Sequence, residues 1–431
     1  MKTEIKEHFD RITQEKYYSF RHKSGVSVLV SPNAYSTASA IYTSDYGGSD
    51  VSFTYNGKRY DTPRGIAHFL EHKLFETEDG GDAFKLFSKF GADSNAFTSH
   101  RATSYTFTST VGDFYESLKI LLDFVHHPHF TEASVSKERG IIAEELKMYD
   151  DNPDNRCYYE LMKCLYKNNN VRYDVGGTLD SIKEITPELL YFCHRVFYSP
   201  DNMSLIVSGD VDIKKITDIM DKTVPAIRGG RVVKLKVTEP EKAYKKLSVT
   251  ETEVSSPLFG FGIKDKMTVS KKLTRRKSVA LSVLADMLLG ESSEFFCKNY
   301  ESGLLTGGCD VGYSCAGDHA YLSVFGESEK PFTVKKRIVN VLEKALSEGI
   351  DRYEFERCKK IFYSNFIYST QNSHSVAHTL LSFYQSGDDL TKYPALLSGV
   401  NADFALECLR ELYKKERTAF AVVKPKNKEE K

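Results

Sequence analysis

The two halves of this 431-residue chain resemble each other at an offset of about 215 residues. Identical residues recur at that offset as the pairs Cys193 and Cys408, Arg195 and Arg410, Tyr198 and Tyr413, and Val207 and Val422. Around each set the pattern predicts a helix, a short turn and an apolar strand. An earlier pair of segments, 130–146 and 350–366, predicts a short acidic turn and a long helix in both halves. The common order indicates duplication of one structural unit.

Within each half, short strands alternate with helices, and long helices precede a final helix and strand. This order predicts an α+β fold of two homologous halves, each a mostly antiparallel sheet with helices packed on one face. The stretch 229–246 is charged and contains Pro240, which is typical of a linker. We therefore predict an N-terminal domain at 1–228, a linker at 229–246 and a C-terminal domain at 247–431.

The helix predicted at 62–75 carries the sequence His68-Phe69-Leu70-Glu71-His72. Thr62 is suited to the N-cap of this helix and Pro63 to its first position. The two histidines are four residues apart, so their imidazoles share one face of the helix, with Glu71 beside them. Two imidazoles and a nearby carboxylate are what zinc needs to hold and activate a water molecule. The order of residues is the inverted zincin pattern.

Comparison of the two halves shows that the residues of this motif are specific to the first half. In the second half, the positions of His68, Glu71 and His72 are taken by Leu281, Leu284 and Ala285. The helix is therefore predicted in both halves, but the metal pattern is present only in the first.

A catalytic zinc ion normally has three protein ligands, so a third ligand is expected from another element. The helix predicted at 137–149 offers Glu138 and Glu145, which are seven residues apart and therefore lie on one face. In the second half, Glu145 falls opposite Asn365, which again leaves that half without a ligand.

These motifs together resemble the pitrilysin–insulinase family of zinc metallopeptidases, in the bacterial subgroup with two domains in one chain. The inverted His-x-x-Glu-His is followed about seventy residues later by Glu-Arg-x-x-Ile-x-x-Glu, which begins at Glu138. Asn95-Ala96-Phe97-Thr98 is similar to the substrate-strand motif of the family, and Gly177-Thr178 is similar to a further signature. The resemblance covers essentially the whole chain, and the duplicated α+β halves match the architecture of the family.

The resemblance implies one Zn²⁺ per chain, held by His68, His72 and Glu145. Glu71 would be the general base, and Glu138 would support the catalytic site without being a main ligand. Glu144 is the alternative ligand if the register shifts by one residue.

The resemblance also implies an edge strand that pairs with the backbone of a peptide substrate. Its substrate-binding residues would be Asn95, Ala96 and Thr98. Main-chain pairing of this kind requires only loose sequence selectivity.

One part of the family pattern is missing. The noncatalytic half often supplies an arginine and, seven residues later, a tyrosine that stabilise the bound peptide, but this chain has Lys298 and Leu305 there. A register one residue later does not restore the pair. We therefore predict a dimer, and favour a heterodimer with a homologous chain that lacks the zinc motif and supplies the Arg/Tyr pair. The alternative is a homodimer that uses Tyr300, Tyr313 or Lys298.

The charge balance argues against other classes of partner. Lys+Arg and Asp+Glu each total 59, so no basic excess indicates nucleic acid. No apolar run has the ~18 residues that a membrane helix requires. The N-terminal residues lack the apolar segment of a secretory signal, and none of the eight cysteines forms Cys-x-x-Cys. These features favour a cytoplasmic protein with reduced thiols.

Two further histidine groups are not predicted to bind metal. His126, His127 and His129 lie at the end of a predicted helix beside a proline, which favours solvated positions for two of them. His374 and His378 are four residues apart, but no carboxylate lies at a matching spacing and they belong to the half without the zinc motif.

The sequence therefore predicts a cytoplasmic zinc metalloendopeptidase that hydrolyses short or unfolded peptides. Two alternatives stay open at this point. One is a noncatalytic or partner-dependent scaffold subunit of the same family. The other is a dedicated peptidase that processes one precursor.

Overall fold

The computed structural model describes residues 4–78, 81–226, 229–235, 237–266 and 271–426, with the side chains of 271–273 left out. Its strands are β1 Lys6–Phe9, β2 Lys16–Arg21, β3 Ser27–Pro32, β4 Thr37–Ser44, β5 Ser52–Tyr55, β6 Lys58–Asp61, β7 Asp93–Thr98, β8 Thr103–Thr110, β9 Met203–Gly209, β10 Val232–Lys234, β11 Leu247–Thr252, β12 Leu258–Lys264, β13 Cys309–Ala316, β14 His319–Glu327 and β15 Thr418–Pro425.

Helices cover more of the chain than strands do. They are α1 Ile66–Leu74, α2 Ala83–Ser88, α3 Phe114–His126, α4 Glu132–Asp151, α5 Pro153–Leu165, α6 Pro187–Phe197, α7 Ile213–Thr223, α8 Lys271–Leu289, α9 Glu294–Glu301, α10 Pro331–Glu348, α11 Arg352–Tyr368, α12 Ser373–Gln385, α13 Tyr393–Ser398 and α14 Ala402–Leu412.

The chain divides into two compact units that are not continuous in sequence. The first unit comprises residues 1–146, 174–235 and 366–392, and the second comprises 147–173, 236–365 and 393–431. The first contains a sheet in the order β1-β2-β3-β9-β4-β8-β7 and a small sheet β10-β5-β6. The second contains a sheet in the order β11-β15-β12-β14-β13. In each main sheet one pair of strands is parallel, β3 with β9 and β11 with β15, and the other pairs are antiparallel.

The predicted α+β class and the predicted duplication are confirmed by this architecture. Helix α6 precedes β9 and helix α14 precedes β15, and both ends of α14 lie 215 residues after those of α6. Leu281, Leu284 and Ala285, which replace the zinc motif in the second half, are fully or almost fully buried core residues of α8.

The second face of each main sheet carries one helix, which the prediction of helices on one face omitted. On β4, Tyr42 lies 2.7 Å from His126 of α3, whereas Ser39 contacts Ser373 of α12 at 3.1 Å. Adjacent positions of a strand point to opposite faces, so α3 and α12 cover opposite sides of the first sheet. In the second unit, α5 packs on β12 and β15. Each added helix comes from the other half of the sequence.

The predicted division at 1–228, 229–246 and 247–431 does not describe these compact units. Segment 147–173 belongs with the second sheet and segment 366–392 with the first. Part of the predicted linker is also ordered, since β10 pairs with β5. Farther along it, the Glu239 carboxylate accepts hydrogen bonds from the backbone N–H groups of Lys167, Asn168 and Asn169. The physical reason is burial, because each sheet has a second face that its own helices leave open.

No helix in the described part of the chain is both long enough and apolar enough to span a membrane.

The core of the first unit contains a histidine that must stay neutral. The Nε2 of His194, on α6, donates to the carbonyl oxygen of Val125 at 2.8 Å, and the ring is 9% exposed. Burial lowers the pKa of His194 to about 4. An unfolded histidine has a pKa near ~6.5, so between about pH 6.5 and 4 the unfolded chain binds a proton that the folded chain does not.

We expect the melting temperature of the chain to fall as the pH is lowered through this window, and His194→Gln to weaken that dependence. Gln keeps a donor for Val125 but does not titrate. Thermal unfolding at pH 7 and pH 5 measures the effect, with His127→Gln, at an exposed position after α3, as the control. Equal pH dependence in all three proteins would contradict this account.

Candidate metal centre

Helix α1 begins later than the sequence predicted. Thr62, expected at the N-cap, instead donates from its backbone N–H to the carbonyl oxygen of Val51 at 2.8 Å, beside the β5–β6 hairpin. The helix starts at Ile66, and its N-cap residue is Gly65 with φ of 88°. This left-handed conformation favours glycine, so the chain turns sharply into the helix at this residue.

A close contact between two backbone segments positions the start of α1. A Cβ atom on Gly65 would lie 2.2 Å from the carbonyl oxygen of Gly176, and one on Gly177 would lie 2.5 Å from that of Arg64. The Ser181 hydroxyl also donates to the Arg64 carbonyl oxygen at 2.8 Å. The loop around the Gly177-Thr178 signature therefore supports the histidine helix directly.

The two histidine rings of α1 lie side by side. Their ring centroids are 4.6 Å apart and their planes are inclined at 63°. His68 is 9% exposed, and a Cβ on Gly176 would approach its Nδ1 to 3.6 Å. The predicted sharing of one helix face is confirmed by this geometry.

Glu145 of α4 completes a group of three ligand atoms. Its Oε1 lies 3.7 Å from Nε2 of His68, and its Oε2 lies 3.4 Å from Nε2 of His72. The three residues offer ligand atoms that all lie within 4.8 Å of one another. A tetrahedral zinc ion has N and O ligands at ~2.0–2.2 Å, which places those ligands at comparable mutual distances. In the described chain this group includes Glu145 and not Glu144, which was the alternative.

Unsatisfied polar atoms support the fit of a cation to these residues. Glu145 Oε2 and His68 Nδ1 are shielded from solvent and have no hydrogen-bond partner among the described residues. A buried acceptor without a partner is costly, and a bound cation would satisfy the carboxylate oxygen. The donor set of two imidazoles and one carboxylate is one that zinc prefers.

Glu138 contacts the other nitrogen of His72. Its Oε1 lies 3.0 Å from Nδ1 of His72, while Nε2 of the same ring faces Glu145. Burial would raise the pKa of Glu138, but the hydrogen bond with His72 and the charge of that ring lower it overall. A carboxylate in this position fixes the tautomer and orientation of an imidazole ligand.

The two imidazoles differ in their electrostatic surroundings. Burial and the neighbouring His72 lower the pKa of His68. Burial alone would also lower the pKa of His72, but the hydrogen bond with Glu138 and the charge of Glu71 raise it overall.

Glu71 points to the edge of the sheet. It is 8% exposed, and its Oε2 accepts a hydrogen bond of 2.7 Å from the hydroxyl of Thr98 on β7. Burial raises the pKa of Glu71, although the Thr98 bond acts in the opposite sense. Thr98 was predicted from the sequence to bind substrate, and its contact with Glu71 was not predicted. Its one available signal was the alternation of β7, which puts Ala96 and Thr98 on the same face.

Strand β7 is the edge of its sheet, as predicted, because it pairs with β8 alone. Asn95 is exposed and Ala96 is partly buried. A cavity of about 530 Å³ opens beside them, lined by Glu71, His72, Phe75, Glu76, Gly81, Asp82, Phe84, Lys85, Asn95, Ala96, Ser134, Lys137 and Glu138. Phe75 and Phe84 stack at 4.1 Å between ring centroids and form an apolar wall of this cavity.

Two family models match parts of this chain. A family model described as Insulinase (Peptidase family M16) matches residues 53–179, and one described as Peptidase M16 inactive domain matches residues 184–362. The first match contains the histidine helix and Glu145. The second lies mostly in the half that lacks the zinc motif.

Two bacterial relatives match almost the whole chain. The protein named Uncharacterized zinc protease YmfH of Bacillus subtilis is 32% identical over 423 residues, 96% of this chain and 98% of its own. The protein named Zinc protease PqqE of Helicobacter pylori is 23% identical over 428 residues, 95% of this chain and 93% of its own.

Solved structures show the same fold. A crystal structure of an M16-like peptidase from Alicyclobacillus acidocaldarius has a TM-score of 0.91 at 28% identity and covers 96% of this chain and 99% of its own. Pitrilysin, at 15% identity, has a TM-score of 0.76 and covers 97% of this chain and 46% of its own, which shows likeness of fold alone.

A duplicated α+β fold with an inverted zincin helix defines a class of metallopeptidase. Within that class, the chain belongs to the insulinase family of peptidases, family M16, in its two-domain bacterial form.

The glycine contact at α1 gives a test of how the site is positioned. We expect Gly65→Ala to lower the melting temperature and to weaken zinc binding, because the new Cβ would meet the Gly176 carbonyl oxygen. Gly57→Ala is the matched control, since Gly57 has a φ of 83° but nothing within 4 Å of a Cβ. Both variants pay for a left-handed alanine, at about 1 kcal/mol, so only the clash differs. Equal losses of stability would show that this contact does not matter.

Proposed function

We propose that this chain is a zinc-dependent metalloendopeptidase that hydrolyses short or unfolded peptides. His68, His72 and Glu145 would hold one Zn²⁺, and Glu71 would act as the general base. The observation that carries this proposal is the convergence of the three ligand atoms within 4.8 Å of one another, one helix residue away from a buried carboxylate. Membership of a peptidase family and the names of the relatives as zinc proteases support it.

The chemistry requires each protein group to have a distinct role. Zinc, when bound, lowers the pKa of a water molecule toward ~7 and polarises a carbonyl group. Glu71 would accept a proton from the attacking water and pass it to the leaving amine. A base with a raised pKa is better suited to this task near neutral pH. The Thr98 hydroxyl holds the Glu71 carboxylate in place, and Glu138 holds the ring of His72.

The substrate would bind as an additional strand. An extended peptide can form main-chain hydrogen bonds with the free edge of β7, at Asn95 and Ala96. The adjoining cavity, with its wall of Phe75 and Phe84, would accept one side chain of the peptide. In this arrangement Thr98 acts through Glu71 and does not need to touch the substrate.

Substitution of Glu71 separates metal binding from turnover. We expect Glu71→Gln to keep about one zinc per chain and to lose at least ~10²-fold in the rate of peptide cleavage, because the amide cannot accept the proton. Zinc is counted by mass spectrometry, and cleavage is followed with a library of quenched fluorescent peptides. Wild-type cleavage by this variant would refute the assignment of the base.

The neighbouring glutamates provide the matched control for the ligand. Glu145→Gln should lose zinc and activity together, whereas Glu144→Gln should retain both. Absence of zinc from the wild-type chain would favour the alternative of a noncatalytic scaffold subunit. Cleavage of a single sequence from the library would favour a dedicated processing peptidase.

The residues at and near the positions of the missing Arg/Tyr pair help to decide between a heterodimer and a homodimer. Leu305 is 1% exposed and lies in the core of the second unit. The Tyr313 hydroxyl donates to the buried Asp265 at 2.6 Å. Lys298 pairs with Glu294, and Tyr300 is 55% exposed. Of the residues proposed for a homodimer, Tyr313 and Lys298 are therefore already engaged within their own unit.

We accordingly propose that the chain works in a dimer, with a homologous chain that supplies the Arg/Tyr pair. The purified chain alone should cleave peptides far more slowly than the chain mixed with such a homologue encoded by the same genome. Size-exclusion chromatography with light scattering gives the stoichiometry. Full activity of the chain alone would refute the heterodimer, and full activity of a chain that light scattering shows to be a monomer would refute both forms of the partner proposal.

A further inference from the structure

Helix α12 comes from the C-terminal half of the sequence but belongs to the unit that contains the zinc helix. Its start is firmly held. The Ser373 hydroxyl lies 2.8 Å from that of Thr37 on β4, and the Asn372 side chain caps the helix by accepting from the Ser375 N–H at 2.8 Å. The first turn of α12 is therefore fixed against the first sheet.

The first two turns of α12 carry two histidines on one face. His374 and His378 are four residues apart, with ring centroids separated by 4.3 Å and planes inclined at 19°. His374 is exposed, whereas His378 is partly buried and packs against Phe97 of β7 at 5.6 Å between centroids. One of the two reasons for discounting the pair from sequence was its place in the half without the zinc motif, and this reason does not hold in the folded unit.

The Nε2 atom of His378 lacks a partner. It is shielded from solvent and makes no hydrogen bond within the described part of the chain. A buried polar atom without a partner destabilises the folded state, so the site favours a ligand that can pair with it. The neighbouring imidazole of His374 is exposed and can turn toward the same ligand.

The chemistry of the pair selects the type of ligand. Two imidazoles on adjacent turns of a helix present nitrogen donors to one ion, and imidazole suits zinc, copper and nickel. Magnesium and calcium prefer oxygen donors. Among the described residues, no carboxylate joins these two histidines in a group of three, so water would complete the coordination.

We propose that His374 and His378 form a second metal site, which binds one divalent transition-metal ion through two imidazoles. It shares no residue with the group of His68, His72 and Glu145. Because His378 packs against Phe97, occupancy would restrain the strand that is proposed to bind peptides. Excess metal would therefore slow peptide cleavage, and this consequence alone rests on the proposed function.

Metal stoichiometry tests the site. The zinc-loaded chain is titrated with Cu²⁺ and with Zn²⁺ by equilibrium dialysis, and bound Cu²⁺ is examined by electron paramagnetic resonance for nitrogen ligands. The wild-type chain should bind one equivalent more than His374→Ala and His378→Gln. His127→Ala is the control, because His127 is an exposed histidine on the same unit. His374→Ala changes an exposed residue, so its melting temperature should match that of the wild-type chain.

The difference in bound metal between the wild-type chain and the histidine variants tests the second metal site even if the chain does not cleave peptides. Equal binding by the wild-type chain and His374→Ala, or an equal loss in His127→Ala, would overturn the proposal. In the cleavage assay, an excess of Zn²⁺ should inhibit the wild-type chain several-fold more than His374→Ala. Equal inhibition, with the extra equivalent still lost in the variant, would overturn the regulatory consequence and leave the metal site standing.

Discussion

Each main sheet of this protein has two faces to cover, and this constraint shapes both compact units. On β4, Ala40 and Tyr42 pack in the main core of the first unit, whereas Ser39 faces α12. This second face is buried too, since Ser39 is 1% exposed and Ile41 is fully buried, and a single helix closes it. The chain meets this need by exchanging helices between its halves. As a result, the first unit contains the histidine helix, the edge strand β7 and α12, which lies some three hundred residues later in the sequence.

At the candidate metal centre, the protein groups alone leave a concentration of negative charge that is not balanced. Glu71, Glu138 and Glu145 surround two imidazoles in a partly buried site. The nearby Glu145 charge adds to the burial that raises the pKa of Glu71. A bound dication would offset this concentration of carboxylates and would favour the ionised form of Glu71. The same ion is the one that the proposed function requires, so stability and the proposed function favour the same occupancy.

The positioning of the site uses rigid, short contacts rather than long flexible side chains. Backbone meets backbone at Gly65 and Gly176, and a hydroxyl meets a carboxylate at Thr98 and Glu71. Such contacts restrict the histidine helix and the Glu71 carboxylate to narrow ranges of position. Proton transfer and metal binding both require that restriction.

The sequence alone determined the residues of the proposed site and the duplicated α+β class. Those features follow from local spacing: four residues place His68 and His72 on one helix face, and seven residues place Glu138 and Glu145 on another. The tertiary structure decided which elements meet. The left-handed Gly65, the Thr98 hydrogen bond to Glu71, the exchange of α5 and α12, and the contact of His378 with Phe97 all join residues far apart in sequence. Local periodicity carries no information about such pairs, because they are selected by burial and close packing in the assembled units.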